Sequence, residues 1–186
     1  MSAEQGASGA AGPASLDRLD ADRAMTELLR CCASSRWAAR VAAGRPYGTA
    51  PALFDAAERA WWSLDAADWL QAFAAHPRIG ERERADPGTR EEQAGVAGVS
   101  PVTLAALAEG NRRYEERFGH VFLVCASGMD AGRLLAELER RLEGEPGSEL
   151  RVAAAEQAKI TRLRLAGLLE RLERAERARQ AGTEDG

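Results

Sequence analysis

His76 is the side chain of this sequence best placed, by type and setting, to transfer a proton. Residues 76–88 contain two prolines and two glycines, which predict a loop after a helix. Functional residues often lie on such loops. An imidazole titrates near neutral pH and is a natural proton carrier. A second acidic segment lies close behind, and a carboxylate there could orient or charge a polar substrate.

Other kinds of chemistry have less support. Neither of the two histidines stands in an HExxH pattern or beside a CxxC pair, so we expect no metal site. His76 with Glu81 and Glu83 could hold a metal, but solvated acids on a loop explain these residues more simply. Cys125 lies in an apolar run and is expected to be an unreactive core residue. The sequence has no glycine-rich phosphate loop and no G-x-S-x-G motif, which disfavours nucleotide and serine-hydrolase chemistry.

The composition predicts a single domain of packed helices. The chain has 186 residues, enough for one core but not for two independent ones. Hydrophobic residues make up 45% of the chain and aromatic residues 5%, while Ala, Leu, Arg and Glu dominate, as in helical proteins. We therefore predict an all-α, compact helical bundle. The net charge of -4, with Arg and Glu interspersed, argues against a nucleic-acid partner.

The cysteines and the hydrophobic pattern indicate a reducing compartment and no membrane segment. Cys31, Cys32 and Cys125 cannot all pair within one chain, and adjacent cysteines are poorly placed to bridge each other. No apolar run approaches the roughly 20 residues of a membrane span. Residues 1–15 have neither the basic nor the apolar region of a signal peptide. We expect a cytoplasmic protein without a membrane partner.

Periodicity and capping residues predict the helices that must position these side chains. Residues 1–15 are predicted to be a disordered tail, residues 16–177 a helical domain and residues 178–186 a frayed end. Asp65 is the predicted N-cap of the helix that ends beside His76. Helices are predicted over residues 16–33, from Trp37 to a turn at Gly44, over 50–62 and 66–75, after Thr89, from Pro101 to Gly119, and over 130–143 and 148–177. Periodicity cannot assign the apolar run 121–126 to a strand or to a buried helix.

Four blocks of sequence resemble one enzyme family. The string His-Pro-Arg-Ile-Gly-Glu at 76–81, directly after a Trp-rich helix, resembles the signature of the 2-oxo-4-hydroxy-4-carboxy-5-ureidoimidazoline (OHCU) decarboxylases. Three further blocks follow in the family's order, at residues 89–95, 111–126 and 160–165. Four ordered blocks are far more specific than any one of them. The resemblance covers residues 16–172.

The resemblance implies a function and a set of site residues. It implies an all-helical enzyme, usually a homodimer, that needs no cofactor and converts OHCU, the product of 5-hydroxyisourate hydrolysis, into S-(+)-allantoin and carbon dioxide. By position, His76 and Glu92 are the implied catalytic residues. Thr89 stands where family members often have Ser. The implied substrate-binding residues are Pro77, Thr89, Gln93 and, through their backbone, Phe122, Leu123, Val124, Cys125 and Ala126.

The substrate's chemistry suits these residues. Its carboxylate is on a carbon that bears a hydroxyl group, beside a ring imine that can accept the electrons released with carbon dioxide, so no cofactor is needed as an electron sink. The hypothesis is that His76 takes the hydroxyl proton as the carbon–carbon bond breaks, while Glu92 and Gln93 hold the ureido and imine nitrogens.

Simpler interpretations stand beside these roles. Asn111, Tyr114 and Phe118 have the spacing of a buried helix face. Arg162 and Arg164 are expected to solvate a charged helix. Two other functions also remain open. The chain could be a non-catalytic interaction module that dimerises through the leucine stripe of residues 165–172, or a decarboxylase of a related ureide.

Overall fold

The computed structural model describes residues 12–78 and 100–184, with side chains described as far as residue 181. Residues 1–11, 79–99, 185 and 186 lie outside this part of the chain. The described residues form helices and no strands, which confirms the predicted all-α fold. The helices are α1 (Ala14–Asp17), α2 (Ala21–Cys31), α3 (Ser35–Ala43), α4 (Ala50–Trp62), α5 (Ala66–Phe73), α6 (Pro101–Phe118), α7 (Ala131–Leu142) and α8 (Pro146–Glu184).

Local capping explains why most helices begin where the sequence predicts. The side chains of Thr49, Asp65 and Ser100 each accept a hydrogen bond from a backbone N–H in the first turn of the helix that follows. Such bonds satisfy donors that the helix itself leaves unpaired. Gly119 ends α6 with a φ of 76°, a left-handed conformation that favours glycine.

The first and last described helices have bounds that differ from those predicted. The predicted helical region 16–33 is divided into α1 and α2, because Asp20 leaves the helical conformation and caps α2. The chain is already packed before residue 16, since Ser15 is buried and its hydroxyl donates to the carboxylate of Glu176. The last helix begins at Pro146 and continues past Arg177 to Glu184. The contact between Ser15 and Glu176 joins α1 to α8, the first and last helices of the described residues.

Among the described residues, the buried apolar side chains form two clusters. The larger one surrounds Trp37, Trp61 and Phe73 and includes the leucine stripe of α8, at Leu165, Leu168, Leu169 and Leu172. These leucines are at most 8% exposed. The stripe is therefore part of the core and is not available for dimerisation. The smaller cluster joins α6 to α7 around Tyr114, Leu134 and Leu138.

Residues 121–126 run extended along the boundary between the two clusters and form neither a helix nor a strand. The side chains of Phe122, Val124 and Ala126 belong to the smaller cluster. Leu123 belongs to the larger cluster, and Val121 and Cys125 pack against it. This alternation has the period of two that an extended chain imposes. It explains why every residue of the run is apolar.

No helix in the described ranges is long and apolar enough to span a bilayer.

Candidate active site

His76 lies immediately after α5, with its side chain half-buried. Its backbone N–H donates to the carbonyl of Phe73 at 3.0 Å, which places the imidazole at the end of the helix. The pKa of His76 is lowered to about 4, mainly by burial and also by the positive charge of Arg164. Hydrogen bonding with the side chain of Gln157 acts in the opposite direction. The imidazole is therefore neutral at neutral pH and can accept a proton.

Gln157 is a fully buried polar side chain of α8 beside His76. Its Nε2 donates to the hydroxyl of Thr161 at 3.1 Å. Its Oε1 has no well-aligned hydrogen-bond partner within residues 12–78 and 100–184. Thr161 in turn hydrogen-bonds the thiol of Cys32, whose pKa burial raises to about 11. A line of buried polar groups thus leads from His76 to the interior of the larger cluster.

Arg164 is a cation whose charge reaches His76. It lies on α8 and is half-buried, and its charge lowers the pKa of His76 and opposes the burial that raises the pKa of Cys31 and Cys32. The expectation that Arg164 solvates a charged helix stays a prediction. Arg162 does follow that expectation, because its side chain is exposed and its guanidinium lies over the Phe54 ring at 4.6 Å.

The extended segment 121–126 approaches the same helix. The backbone N–H of Cys125 donates to a carboxylate oxygen of Glu156 at 2.8 Å. Glu156 is the chain neighbour of Gln157, so adjacent residues of α8 contact the segment and His76. The side chains of Phe122, Leu123, Val124 and Ala126 are at most 9% exposed. These residues can therefore offer a ligand their backbone groups more readily than their side chains.

Pro77 and Arg78 continue the chain after His76, and both are exposed. Arg78 makes a two-pronged ion pair with Glu115 of α6, with Nε–Oε1 at 2.6 Å and Nη2–Oε2 at 2.9 Å. This pair holds the chain that follows His76 against α6. It also lowers the pKa of Glu115, first through the hydrogen bond and then through the charge of Arg78.

The remaining predicted site residues, Thr89, Glu92 and Gln93, lie outside the described residues, as do Glu81 and Glu83. The structure thus brings His76 and the segment 121–126 together through α8, and the second acidic segment stays a prediction. Within the described ranges no three His, Cys, Asp or Glu side chains are grouped as a metal site would need. The predicted buried face of α6 is confirmed, with Asn111 and Tyr114 buried and Phe118 partly so.

A family model described as OHCU decarboxylase matches residues 17–166 of the chain. The chain belongs to the OHCU decarboxylase family. The matched region contains His76, the segment 121–126 and α8 as far as residue 166, which is the whole described part of the site. The family resemblance predicted from the four sequence blocks is therefore confirmed.

Relatives of this OHCU decarboxylase family member occur in plants and archaea. The chain is 37% identical over 145 residues to the uric acid degradation bifunctional protein TTL of Arabidopsis thaliana, covering 74% of this chain and 45% of that protein. It is 30% identical over 154 residues to the 2-oxo-4-hydroxy-4-carboxy-5-ureidoimidazoline decarboxylase of Haloferax volcanii, covering 81% of this chain and 92% of that protein. The chain therefore spans less than half of the plant protein but nearly all of the archaeal one.

Solved structures show the same fold. An OHCU decarboxylase crystallised in the presence of (S)-allantoin is 37% identical, with a TM-score of 0.71, and the match covers 77% of this chain and 97% of that chain. An (S)-allantoin synthase is 18% identical with a TM-score of 0.65, which supports the fold alone.

Sequence reasoning gave no role at the candidate site of this OHCU decarboxylase family member to three residues of α8. Glu156, Gln157 and Arg164 lie in or just before the block 160–165, which resembles the family but carries no histidine or acidic pair to attract attention. The usable signal is their spacing, since Gln157 and Arg164 are seven positions apart and so lie on one helix face.

Proposed function

We propose that this chain decarboxylates OHCU to (S)-allantoin in urate breakdown. The observation that carries the proposal is the setting of His76 in a chain of the OHCU decarboxylase family: its imidazole is half-buried, and burial and the charge of Arg164 lower its pKa. The relatives named for urate degradation and the structure obtained with (S)-allantoin support the same substrate class.

The proposed chemistry begins with the substrate's own electron sink. The bond between the ring carbon and the carboxylate breaks and carbon dioxide leaves. The released electron pair forms a double bond to the adjacent ring carbon, and the imine nitrogen takes the displaced pair together with a proton. His76 accepts the proton of the hydroxyl group as its oxygen becomes a carbonyl, and the electrons of the new double bond take a proton on one face of the adjacent ring carbon. Of the two protons gained, one is the proton that His76 removed and the other comes from the solvent. Because the imine takes the electrons, we propose that no cofactor is required. General acid–base help of this kind contributes about a hundredfold to ten thousandfold.

Arg164 suits an anionic substrate. Its guanidinium is always charged and presents a planar set of donors that matches a carboxylate. The same charge disfavours a protonated imidazole, which keeps His76 in the form that accepts a proton. We propose that Arg164 attracts and orients the substrate carboxylate, and that Glu92 and Gln93 hold the ureido and imine nitrogens.

The proposal is tested with OHCU generated in place. Urate is treated with urate oxidase and hydroxyisourate hydrolase, this protein is added last, and allantoin formation is followed by circular dichroism. Spontaneous decay is expected to give a racemic product, so the protein should give faster decay to the (S) enantiomer. An unchanged rate and a racemic product would refute the proposal and favour a non-catalytic helical module. Catalysis with another ureide but not with OHCU would show that the protein is a decarboxylase of a different substrate.

We also propose that the protein is a cytoplasmic homodimer. Cys31, Cys32 and Cys125 form no disulfide bond with one another, as expected in a reducing compartment. Trp62 is 42% exposed and Leu163 is 50% exposed, and Trp62 lines a groove of about 260 Å³ between α4 and α8. Exposed apolar surface of this kind is typical of a protein interface. Sedimentation equilibrium would show a mass near twice 20.0 kDa for a dimer and near 20.0 kDa otherwise.

A further inference from the structure

The backbone of residues 121–126 is held along one of its edges. Because the side chains alternate between the two core clusters, the chain is extended, and residues two apart direct their peptide groups to the same edge. Leu123 and Cys125 are two apart. The N–H and C=O groups of Leu123 and Cys125 therefore lie along one edge of the extended segment, and those of Val124 lie along the opposite edge.

The Leu123 carbonyl is held by a buried arginine. Nη1 of Arg141 donates to it, and Arg141 is only 2% exposed. Arg141 also pairs with the buried Glu149, with its Nε at 2.7 Å from Oε1, and donates to the Tyr114 hydroxyl at 3.0 Å. A buried charge is destabilising unless its hydrogen-bond donors have partners. The donors of Arg141 find partners in Glu149 and Tyr114, and one of them bonds to the Leu123 carbonyl.

The Cys125 amide is held by Glu156. Oε2 of Glu156 accepts the Cys125 N–H at 2.8 Å, while Oε1 pairs with Nζ of the exposed Lys159 at 2.6 Å. The Glu156 side chain is only 15% exposed, whereas that of Lys159 is 61% exposed. An amide bonded to a charged carboxylate forms one of the stronger hydrogen bonds in a protein.

Glu156 therefore connects the two described parts of the site, which are His76 and the segment 121–126. Its chain neighbour Gln157 contacts His76, so one turn of α8 determines both where the imidazole lies and where the segment backbone lies. Losing the Glu156 contact would release the Cys125 amide and let the neighbouring Val124 peptide groups move relative to His76.

We propose that Glu156 is a positioning residue of the decarboxylase site. Together with Arg141, it holds the backbone of residues 121–126 at a fixed position relative to His76. This inference rests on the proposed function. Glu156 does not touch the reacting atoms in this scheme. Its effect reaches the substrate through the peptide groups of the segment.

The test compares Glu156→Ala with Glu156→Gln and with Lys159→Ala. Glu156→Ala removes the acceptor, Glu156→Gln keeps an oxygen that can accept the Cys125 N–H, and Lys159→Ala removes the other partner of the carboxylate. For each folded variant, KM and kcat for OHCU are measured, with the affinity for (S)-allantoin by calorimetry and the exchange rates of the Cys125 and Val124 amides by NMR. We expect Glu156→Ala to raise KM and weaken allantoin binding about tenfold or more and to speed Cys125 exchange. The pH at which His76 titrates should stay in place.

Glu156→Gln should recover most of the lost affinity, and Lys159→Ala should stay within about twofold of the parent protein. The inference is overturned if Glu156→Ala leaves KM, allantoin affinity and the Cys125 amide unchanged, or if Glu156→Gln is as damaged as Glu156→Ala. The proposed function fails in a different way, because the parent protein itself would then not convert OHCU. The amide exchange of the variants would still decide whether Glu156 holds the segment.

Discussion

Gln157 and Arg164 lie about two turns apart on one face of α8 and act in opposite directions on the pKa of His76. The charge of Arg164 lowers that pKa and hydrogen bonding with Gln157 raises it, while burial is the largest cause of its low value. One helix thus sets both the protonation state and the surroundings of the imidazole. The predictions below test this relationship and the packing that supports it.

Replacing His76 should remove most of the activity without unfolding the protein. His76→Asn keeps a polar, half-buried side chain but cannot accept the hydroxyl proton, so kcat for OHCU should fall about a hundredfold to ten thousandfold. Stopped-flow circular dichroism at saturating substrate would measure it. Near-normal kcat in the variant would show that His76 is not the base.

The stability of the protein should fall in acid because of His76. Its pKa is about 4 in the folded chain and 6.5 as the ordinary value, so between these pH values the unfolded chain binds a proton that the folded chain does not. The contribution of His76 to the free energy of unfolding is thus fully present above about pH 6.5 and is lost as the pH falls towards 4. One pKa unit corresponds to about 1.4 kcal/mol, and partial exposure reduces the total, so we expect a loss of about 2 kcal/mol.

Urea unfolding of the parent protein and of His76→Asn at pH 7 and pH 4 would measure this loss. His120, whose pKa burial also lowers, is present in both proteins and cancels in the comparison. Equal pH dependence in the two proteins would contradict the low pKa of His76.

Replacing Arg164 should raise the pKa of His76 and weaken substrate binding. Arg164→Gln removes the charge that disfavours the imidazolium, so NMR titration of the ring should show a higher pKa, and KM should rise because the substrate carboxylate loses its cation. Arg162→Gln is the matched control, since that exposed arginine stacks on Phe54 away from His76. If both variants behave alike, the role of Arg164 is wrong.

Replacing Arg141 should destabilise the protein far more than replacing its neighbour Arg140. Arg141→Met leaves the buried carboxylate of Glu149 without its cation and the Leu123 carbonyl without its donor, which should cost about 3–5 kcal/mol. Arg140 forms an exposed pair with Glu137, so Arg140→Met should cost less than about 1 kcal/mol. Urea denaturation of the two variants measures the difference, and similar midpoints would show that the buried pair contributes little.

The sequence alone was sufficient for the all-helical fold and for most helix boundaries, because the signals are local. Thr49, Asp65 and Ser100 cap helices that follow them directly, and Gly119 ends α6 through its own backbone conformation. His76 could also be named, since a histidine–proline step after a predicted helix is a feature of consecutive residues. The family followed from four such blocks in order.

Only the tertiary structure decided which residues of α8 lie near His76. Arg162 and Arg164 are alike in sequence, and they differ because the helix packs one towards His76 and leaves the other at the surface. The segment 121–126 is extended because two clusters, built from distant parts of the chain, bury its alternate side chains. Contacts between residues far apart in sequence carry no local pattern, so capping and periodicity could not reveal them.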